Sequence, residues 1–145
     1  MADKKYKSNQ SSKRKISGSY ILIINNSCQQ RIRVGALGEL QFKKGYYFYV
    51  GSALHRRLLS RVSRHTKPKD KKKSHWHIDY LLNAPGTKIH KVILIPSNTK
   101  EECQVAHEIA EFSDGGIAKF GCSDCNCESH LFYFLPKNPN LSKLF

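Results

Sequence analysis

Tyr47-Phe48-Tyr49-Val50-Gly51-Ser52-Ala53 has the aromatic composition of a β-strand that ends at a glycine. Side chains alternate across a strand, so Tyr47 and Tyr49 are expected on one face and Phe48 on the other. The apolar residues that follow recur at helical spacing, which predicts an amphipathic helix opened by Ser52 and running from about residue 53 to residue 65. This strand-to-helix unit is the centre of the predicted fold.

The segments on either side of this unit predict an α+β protein. Alternating and continuous apolar runs indicate strands, and apolar residues at helical spacing indicate helices. The predicted strands cover residues 17–25, 31–34, 40–42, 46–50, 89–95 and 130–134, and further helices cover 75–82 and 99–112. We expect a small, mostly antiparallel central sheet flanked by helices.

The chain of 145 residues is long enough for one domain, which we place at residues 16–135 with a Cys-rich segment at 121–130. Residues 1–15 are predicted to be a disordered basic arm, and residues 136–145 a C-terminal tail. No apolar run approaches the roughly 20 residues of a membrane span. No secretory signal follows the first lysines, so a cytoplasmic location is expected.

The net charge of +14 is concentrated in two blocks. Residues 1–17 hold six Lys and Arg against one Asp, and residues 54–73 hold nine against one. Such basic blocks favour binding to a polyanion, most simply nucleic acid. A solvated face and a solubility tail would have the same composition. The residues predicted to contact phosphates are Arg57, Arg64, Lys67, Lys69, Lys71, Lys72 and Lys73.

Several short motifs resemble those of GIY-YIG nucleases. Gly18-Ser19-Tyr20 resembles the first motif of that family, Tyr49-Val50-Gly51 resembles the second, and Arg61 and His65 match the helix that follows. The chain is most similar to the compact, Uri-type branch, which also carries segments like 75–82 and 121–125. Because 28 residues separate Tyr20 from Tyr49, more than is usual in the family, an extra hairpin is expected between them.

The resemblance implies a metal-dependent endonuclease that hydrolyses DNA, as in DNA repair or processing. It implies one Mg²⁺ or Mn²⁺ held by a glutamate, an arginine that neutralises charge on the phosphate, and tyrosines that help to activate water. The candidate catalytic residues are Tyr20, Tyr49, Arg61, His65 and His75, with Gly51 and Ser52 close to a phosphate.

The metal-binding carboxylate has more than one candidate. Glu102 follows a strand and opens a helix, where the family places its glutamate, yet it also fits a capping box with Thr99 that needs no chemistry. Glu101 and Asp79 are the other carboxylates considered. At helical spacing, His75 and Asp79 would share one face and could share a proton or a metal.

Five cysteines, an odd number, argue against a secreted disulfide framework. Cys122, Cys125, Cys127 and His130 have residue types and spacing that could hold a structural zinc ion, and reduced, partly buried thiols are the alternative.

Two other functions remain open from the sequence. One is a non-catalytic module that binds DNA or RNA on the same fold, since a fold does not establish an activity. The other is a zinc-dependent interaction protein. The favoured expectation is DNA cleavage, selective for DNA structure or single strands because no base-reading module is evident.

Overall fold

The computed structural model describes residues 16–68, 74–122 and 125–144. The predicted arm at 1–15 and the lysines Lys69, Lys71, Lys72 and Lys73 lie outside the described residues. Within them, the predicted α+β class and the central antiparallel sheet are confirmed.

Five strands form the main sheet in the order β5-β1-β4-β7-β6, and every neighbouring pair is antiparallel. Two further strands pair as a separate hairpin, β2-β3. The strands are β1 (Gly18–Asn26), β2 (Gln30–Arg33), β3 (Glu39–Phe42), β4 (Gly45–Ala53), β5 (Thr87–Pro96), β6 (Gly115–Gly116) and β7 (Leu131–Phe134). The helices are α1 (Leu58–His65), α2 (His77–Leu82), α3 (Glu102–Phe112) and α4 (Leu141–Leu144), and a 3₁₀ turn covers Gly35–Leu37.

The sheet divides the core into two layers, as strand alternation requires. Tyr20 and Leu22 of β1 lie with Tyr47 and Tyr49 of β4 in the layer covered by α1 and α2. Ile21 and Ile23 of β1 and Phe48 and Val50 of β4 lie in the other layer, against α3 and α4. The predicted separation of Tyr47 and Tyr49 from Phe48 is therefore confirmed.

The hairpin β2-β3 fills the interval between Tyr20 and Tyr49, as predicted. Its apolar side chains, with Phe42 fully buried, join the same layer of the core as the two tyrosines. Exposed residues such as Arg31 and Arg33 alternate with the buried ones, which explains the half-polar sequence of β2.

The start of helix α1 was predicted wrongly. Strand β4 continues through Ser52 to Ala53, and the helix begins only at Leu58. His55 and Arg56 between them have φ of 58° and 62°, a left-handed conformation that interrupts any helix. Their turn is held by a hydrogen bond from the Arg56 N–H to Ser17 Oγ, at 2.8 Å.

None of the helices in the described part of the chain is long and apolar enough to cross a membrane.

Candidate active site and Cys/His cluster

A cavity of about 560 Å³ lies where β1 and β4 run side by side, next to the start of α3. It collects side chains from four separate parts of the chain. Its lining includes Tyr20, Tyr49, Gly51, Ser52, Arg57, Arg61, His75 and Glu102, all of which were predicted from the sequence.

Tyr20 lies on β1 directly opposite Gly51 of β4 and is 1% exposed. A Cβ at position 51 would collide with Cζ and the hydroxyl oxygen of Tyr20. The glycine is thus required by the tyrosine ring, and not by a turn of the backbone past a phosphate as the sequence suggested. Burial raises the pKa of Tyr20 above its usual value, so the phenol is neutral at neutral pH.

His65 lies behind Tyr20 rather than in the cavity lining. It is 1% exposed, and its Nε2 is 2.7 Å from the hydroxyl oxygen of Tyr20. The predicted role of His65 in protonating a leaving oxygen is therefore wrong, because the imidazole reaches the cavity only through the tyrosine. His65 is also the last residue of α1.

Tyr49 lies beside Tyr20 with its ring centroid 6.3 Å away. The residue is 9% exposed, so it is more deeply buried than the end of a strand suggested. Burial raises the pKa of Tyr49 well above its usual value, and the neighbouring Tyr20 is the second cause of the increase. Both tyrosines are consequently neutral hydroxyls, available as donors or acceptors.

Arg61 is held in the cavity wall from two sides. Its Nη1 donates to the Ser52 carbonyl oxygen at 3.1 Å, and its guanidinium carbon lies 4.6 Å from the ring centre of Trp76. These contacts restrict a long side chain before any ligand binds, which favours a fixed geometry toward an anion. Arg57 lines the same cavity and is exposed.

Arg64 does not line this cavity, contrary to its predicted role as a phosphate contact. It forms a bidentate pair with the fully buried Asp79, at 2.9 Å and 3.0 Å, and lies over Trp76. Burial alone would raise the pKa of Asp79, but the Arg64 hydrogen bonds and the N–H groups of Trp76 and His75 lower it. The pair fixes Trp76, on which Arg61 also packs.

His75 lies before α2, because that helix begins at His77, and so it does not share a helical face with Asp79. Its side chain lines the cavity, whereas its backbone N–H donates to Asp79 Oδ2 at 2.8 Å. The predicted sharing of a proton or metal by the two side chains is therefore wrong.

Glu102 is the first residue of α3, and Glu101 is its N-cap. Thr99 donates its hydroxyl to Glu101 Oε2 at 3.1 Å, so the predicted capping box between Thr99 and Glu102 does not form. The Glu102 side chain is 13% exposed and lines the cavity. With Asp79 engaged by an arginine and Glu101 outside the lining, Glu102 is the carboxylate of this cavity.

Lys100 and His77 also line the cavity and were missed by the sequence analysis. Lys100 Nζ is 3.6 Å from Glu102 Oε1. The Nδ1 atom of His77 accepts the Gly121 N–H at 2.8 Å, and burial lowers the pKa of His77, which favours this neutral acceptor. Lys67 is exposed and lines a separate cavity with His65.

Next to the cavity is a Cys/His cluster formed by Cys103, Cys125, Cys127 and His130, whose ligand atoms all lie within 4.8 Å of one another. This cluster could hold a metal ion. Nε2 of His130 is 3.6 Å from the sulfur atoms of both Cys103 and Cys125. Partial burial, with the Cys127 and Cys125 thiols, raises the pKa of Cys103 to about 12.

The predicted ligand set is corrected at one position. Cys122 is buried, and its sulfur donates to the Phe120 carbonyl oxygen at 3.5 Å, so it is not a member of the cluster. Cys103 takes its place from α3, a ligand that close spacing could not reveal. Among the described residues, all five cysteines are free thiols.

The chain belongs to the family described as Domain of unknown function DUF123, whose model matches residues 19–144. No curated protein and no solved structure matches the chain significantly.

Proposed function

We propose that the chain is a metal-dependent endonuclease of the GIY-YIG type that hydrolyses DNA phosphodiester bonds. The observation that carries the proposal is the convergence of Tyr20, Tyr49, Arg61 and Glu102 on one cavity. These residues come from β1, β4, α1 and α3. The two tyrosine rings pack in the core, but that packing does not require an arginine and a carboxylate on the same cavity.

Activation of water is assigned to Tyr20 together with His65. A buried neutral phenol is a weak base, but its hydroxyl is 2.7 Å from His65 Nε2. As water attacks the phosphorus, Tyr20 Oη takes a proton from the water while its own proton passes to Nε2. The scissile P–O bond breaks, and His75 in the cavity lining is the candidate acid for the leaving oxygen.

Arg61 is assigned to the phosphate. Its guanidinium is pre-positioned by Ser52 and Trp76, so it can neutralise charge that develops on the phosphoryl oxygens with little reorganisation. Arg57 in the same lining can hold an adjacent phosphate. Tyr49, next to Tyr20, can donate a hydrogen bond to the phosphate or support the attacking water.

Glu102 is assigned to a divalent cation, Mg²⁺ or Mn²⁺. A partly buried carboxylate that opens onto a cavity with room for several waters fits these ions, which prefer oxygen ligands and keep several waters. Such an ion supplies charge neutralisation at the phosphate and lowers the pKa of bound water. Removal of the carboxylate charge, as in Glu102→Gln, should therefore abolish cleavage.

Zinc is assigned to the Cys/His cluster. With Zn–S and Zn–N bonds near 2.3 Å and 2.05 Å, a tetrahedral site places sulfur and nitrogen about 3.6 Å apart. The two measured separations from His130 Nε2 are both 3.6 Å. Three thiolates and one imidazole leave no open position, so this ion would be structural.

The substrate class is proposed from charge. The net charge of +14 favours a polyanion, and the cavity opens beside exposed cations such as Arg57. DNA is favoured over RNA by the resemblance alone, and selectivity for single-stranded or branched DNA follows from the absence of an evident base-reading element among the described residues.

The test is a cleavage assay on labelled single-stranded, duplex and branched DNA and on RNA, with Mg²⁺, Mn²⁺ or neither ion. We expect metal-dependent cuts that both Arg61→Ala and Glu102→Gln lose. Arg33→Ala on the exposed face of β2 and Glu108→Gln on the exposed face of α3 are matched controls. Tight binding without cleavage on every substrate would refute the enzyme and favour the non-catalytic nucleic-acid-binding module.

A further inference from the structure

Glu102 belongs to the cavity and also touches the Cys/His cluster. Its carboxylate lines the cavity with Tyr20 and Arg61, and its Oε2 atom is 4.0 Å from Nδ1 of His130. The opposite nitrogen of the same imidazole, Nε2, faces the sulfur atoms of the cluster. One ring, 2% exposed, therefore separates two sites with different ligand chemistry.

Through the His130 imidazole, a metal ion bound in the cluster can affect the position of Glu102 in the cavity. A neutral histidine carries one N–H, and when Nε2 binds a metal the proton must be on Nδ1. That N–H then faces Glu102, and metal-bound histidines commonly donate their second nitrogen to a carboxylate that orients them. At 4.0 Å the pair is longer than a hydrogen bond, and a shift of roughly 1 Å would close it.

The backbone connects the two sites a second time. Cys103 follows Glu102 at the start of α3, so a metal bound by Cys103 also restrains the first turn that carries the carboxylate. His130 is fixed from the other side, because its carbonyl oxygen accepts the Val50 N–H of β4 at 2.9 Å. A metal in the cluster would thus join α3 to the strand that carries Tyr49.

We infer that zinc in the Cys/His cluster positions Glu102 for the divalent cation of the cavity, with His130 as the positioning residue. The inference rests on the proposed function, in which Glu102 is the ligand of that cation. It differs from a purely structural zinc site, which would hold the C-terminal segment together without altering cation binding at Glu102.

The test measures Mn²⁺ binding by the full chain, from the electron paramagnetic resonance signal of free Mn²⁺, with zinc content determined for each sample. His130→Cys keeps four ligands for zinc but removes Nδ1. We expect zinc to be retained and the Mn²⁺ dissociation constant to rise roughly tenfold, as for other outer partners of metal ligands. His107→Cys, at an exposed position of α3, is the matched control and should leave the Mn²⁺ dissociation constant unchanged.

A double-mutant cycle distinguishes positioning from general damage. If His130 acts through Glu102, adding His130→Cys to Glu102→Gln should change Mn²⁺ affinity by less than twofold. An equal loss in both backgrounds, or unchanged affinity in zinc-loaded His130→Cys, would overturn the inference. If His130→Cys loses zinc, zinc-loaded and zinc-depleted wild type are compared instead, and equal Mn²⁺ affinities overturn it.

The Mn²⁺-binding assay does not depend on nucleic-acid cleavage. The inference and the proposed nuclease activity can therefore be refuted independently. Coupled Mn²⁺ binding without cleavage of any substrate supports the inference and refutes the enzyme. Cleavage that depends on Glu102, with Mn²⁺ affinity independent of His130, supports the enzyme and refutes the inference.

Discussion

The cavity and the Cys/His cluster are neighbours, but the chain builds them differently. The cavity takes its polar groups from regular elements, with Tyr20 and Tyr49 on paired strands and Arg61 within a helix. The cluster takes Cys125, Cys127 and His130 from a segment without helix or strand, and only Cys103 from a helix. The first site is held by the core, whereas the second would be held in part by the metal ion proposed for it.

This difference predicts opposite responses to change. Loss of a polar side chain of the cavity wall outside the core, such as Arg61, should remove activity and leave the fold intact, because the sheet behind it is already packed. Loss of a ligand in the cluster should reduce stability, because metal binding is linked to the folding of the segment that supplies the ligands. The following variants test this contrast.

The largest effect is expected from Arg61→Ala. Removing one preorganised cation from a developing phosphate charge should lower kcat/KM by at least about 10²-fold, measured on the best DNA substrate. The melting temperature should change little, since Arg61 lies in the cavity wall, where it contacts the Ser52 carbonyl oxygen, the Trp76 ring and the Tyr20 side chain. Arg61→Lys should recover only part of the activity, because lysine lacks the planar fork. Activity equal to that of Arg33→Ala would remove Arg61 from the mechanism.

Cys103→Ser should give the converse result, a protein that loses zinc and stability together. Loss of a structural metal ligand costs several kcal/mol, here about 3 kcal/mol in the free energy of unfolding measured by denaturant titration. Cys122→Ser should keep one equivalent of zinc, because that thiol bonds the Phe120 carbonyl oxygen instead. If Cys122→Ser loses zinc and Cys103→Ser keeps it, the ligand set drawn from the sequence is correct and the structural one is not.

The sequence predicted the cavity better than the cluster for a physical reason. Strand alternation placed Tyr47 and Tyr49 on one face, and the spacing of Arg61 after Gly51 placed the arginine on the following helix. Cys103 lies 22 positions before Cys125, and only the packing of α3 on the sheet brings them together. Such long-range proximity leaves no trace in local spacing.

Two local features were also beyond sequence reasoning. The helix start was predicted too early because the left-handed residues His55 and Arg56 depend on a tertiary contact with Ser17. The burial of His65 depends on Tyr20, which is 45 positions earlier in the chain. In both cases a distant partner overrides the local pattern.

Asp79→Asn tests the Asp79–Arg64 pair, which fixes the Trp76 ring on which Arg61 packs. The effect of this substitution on stability should depend on pH. Removing the charge from a buried pair typically costs about 3 kcal/mol, because asparagine keeps only one of the two oxygens that accept from Arg64 and from two backbone N–H groups and leaves the arginine without its anion. The pKa of Asp79 is lowered in the folded protein, so its stabilisation is complete above the unfolded value of about 3.9 and is lost as the pH falls through the folded value.

Unfolding free energies of wild type and Asp79→Asn should accordingly differ at pH 7 and converge below about pH 4. Glu111→Gln, at an exposed carboxylate of α3, is the comparison at each pH. A difference between wild type and Asp79→Asn that stays constant down to pH 2 would show that the ionised carboxylate does not stabilise the fold.

Gly51→Ala should lose less stability than Cys103→Ser or Asp79→Asn, and it should affect both stability and activity. The added Cβ collides with the ring of Tyr20, so the strand or the ring must shift, at a cost of about 1–3 kcal/mol. Gly38→Ala is the comparison, because its cost comes from the φ of 79° alone and no atom lies within 4 Å of the new Cβ, whereas the cost at Gly51 comes from the collision with Tyr20. We expect Gly38→Ala to lose stability and keep activity, whereas Gly51→Ala loses both, since a displaced Tyr20 hydroxyl no longer reaches His65. Equal activity losses in the two variants would mean that the position of Tyr20 does not limit catalysis.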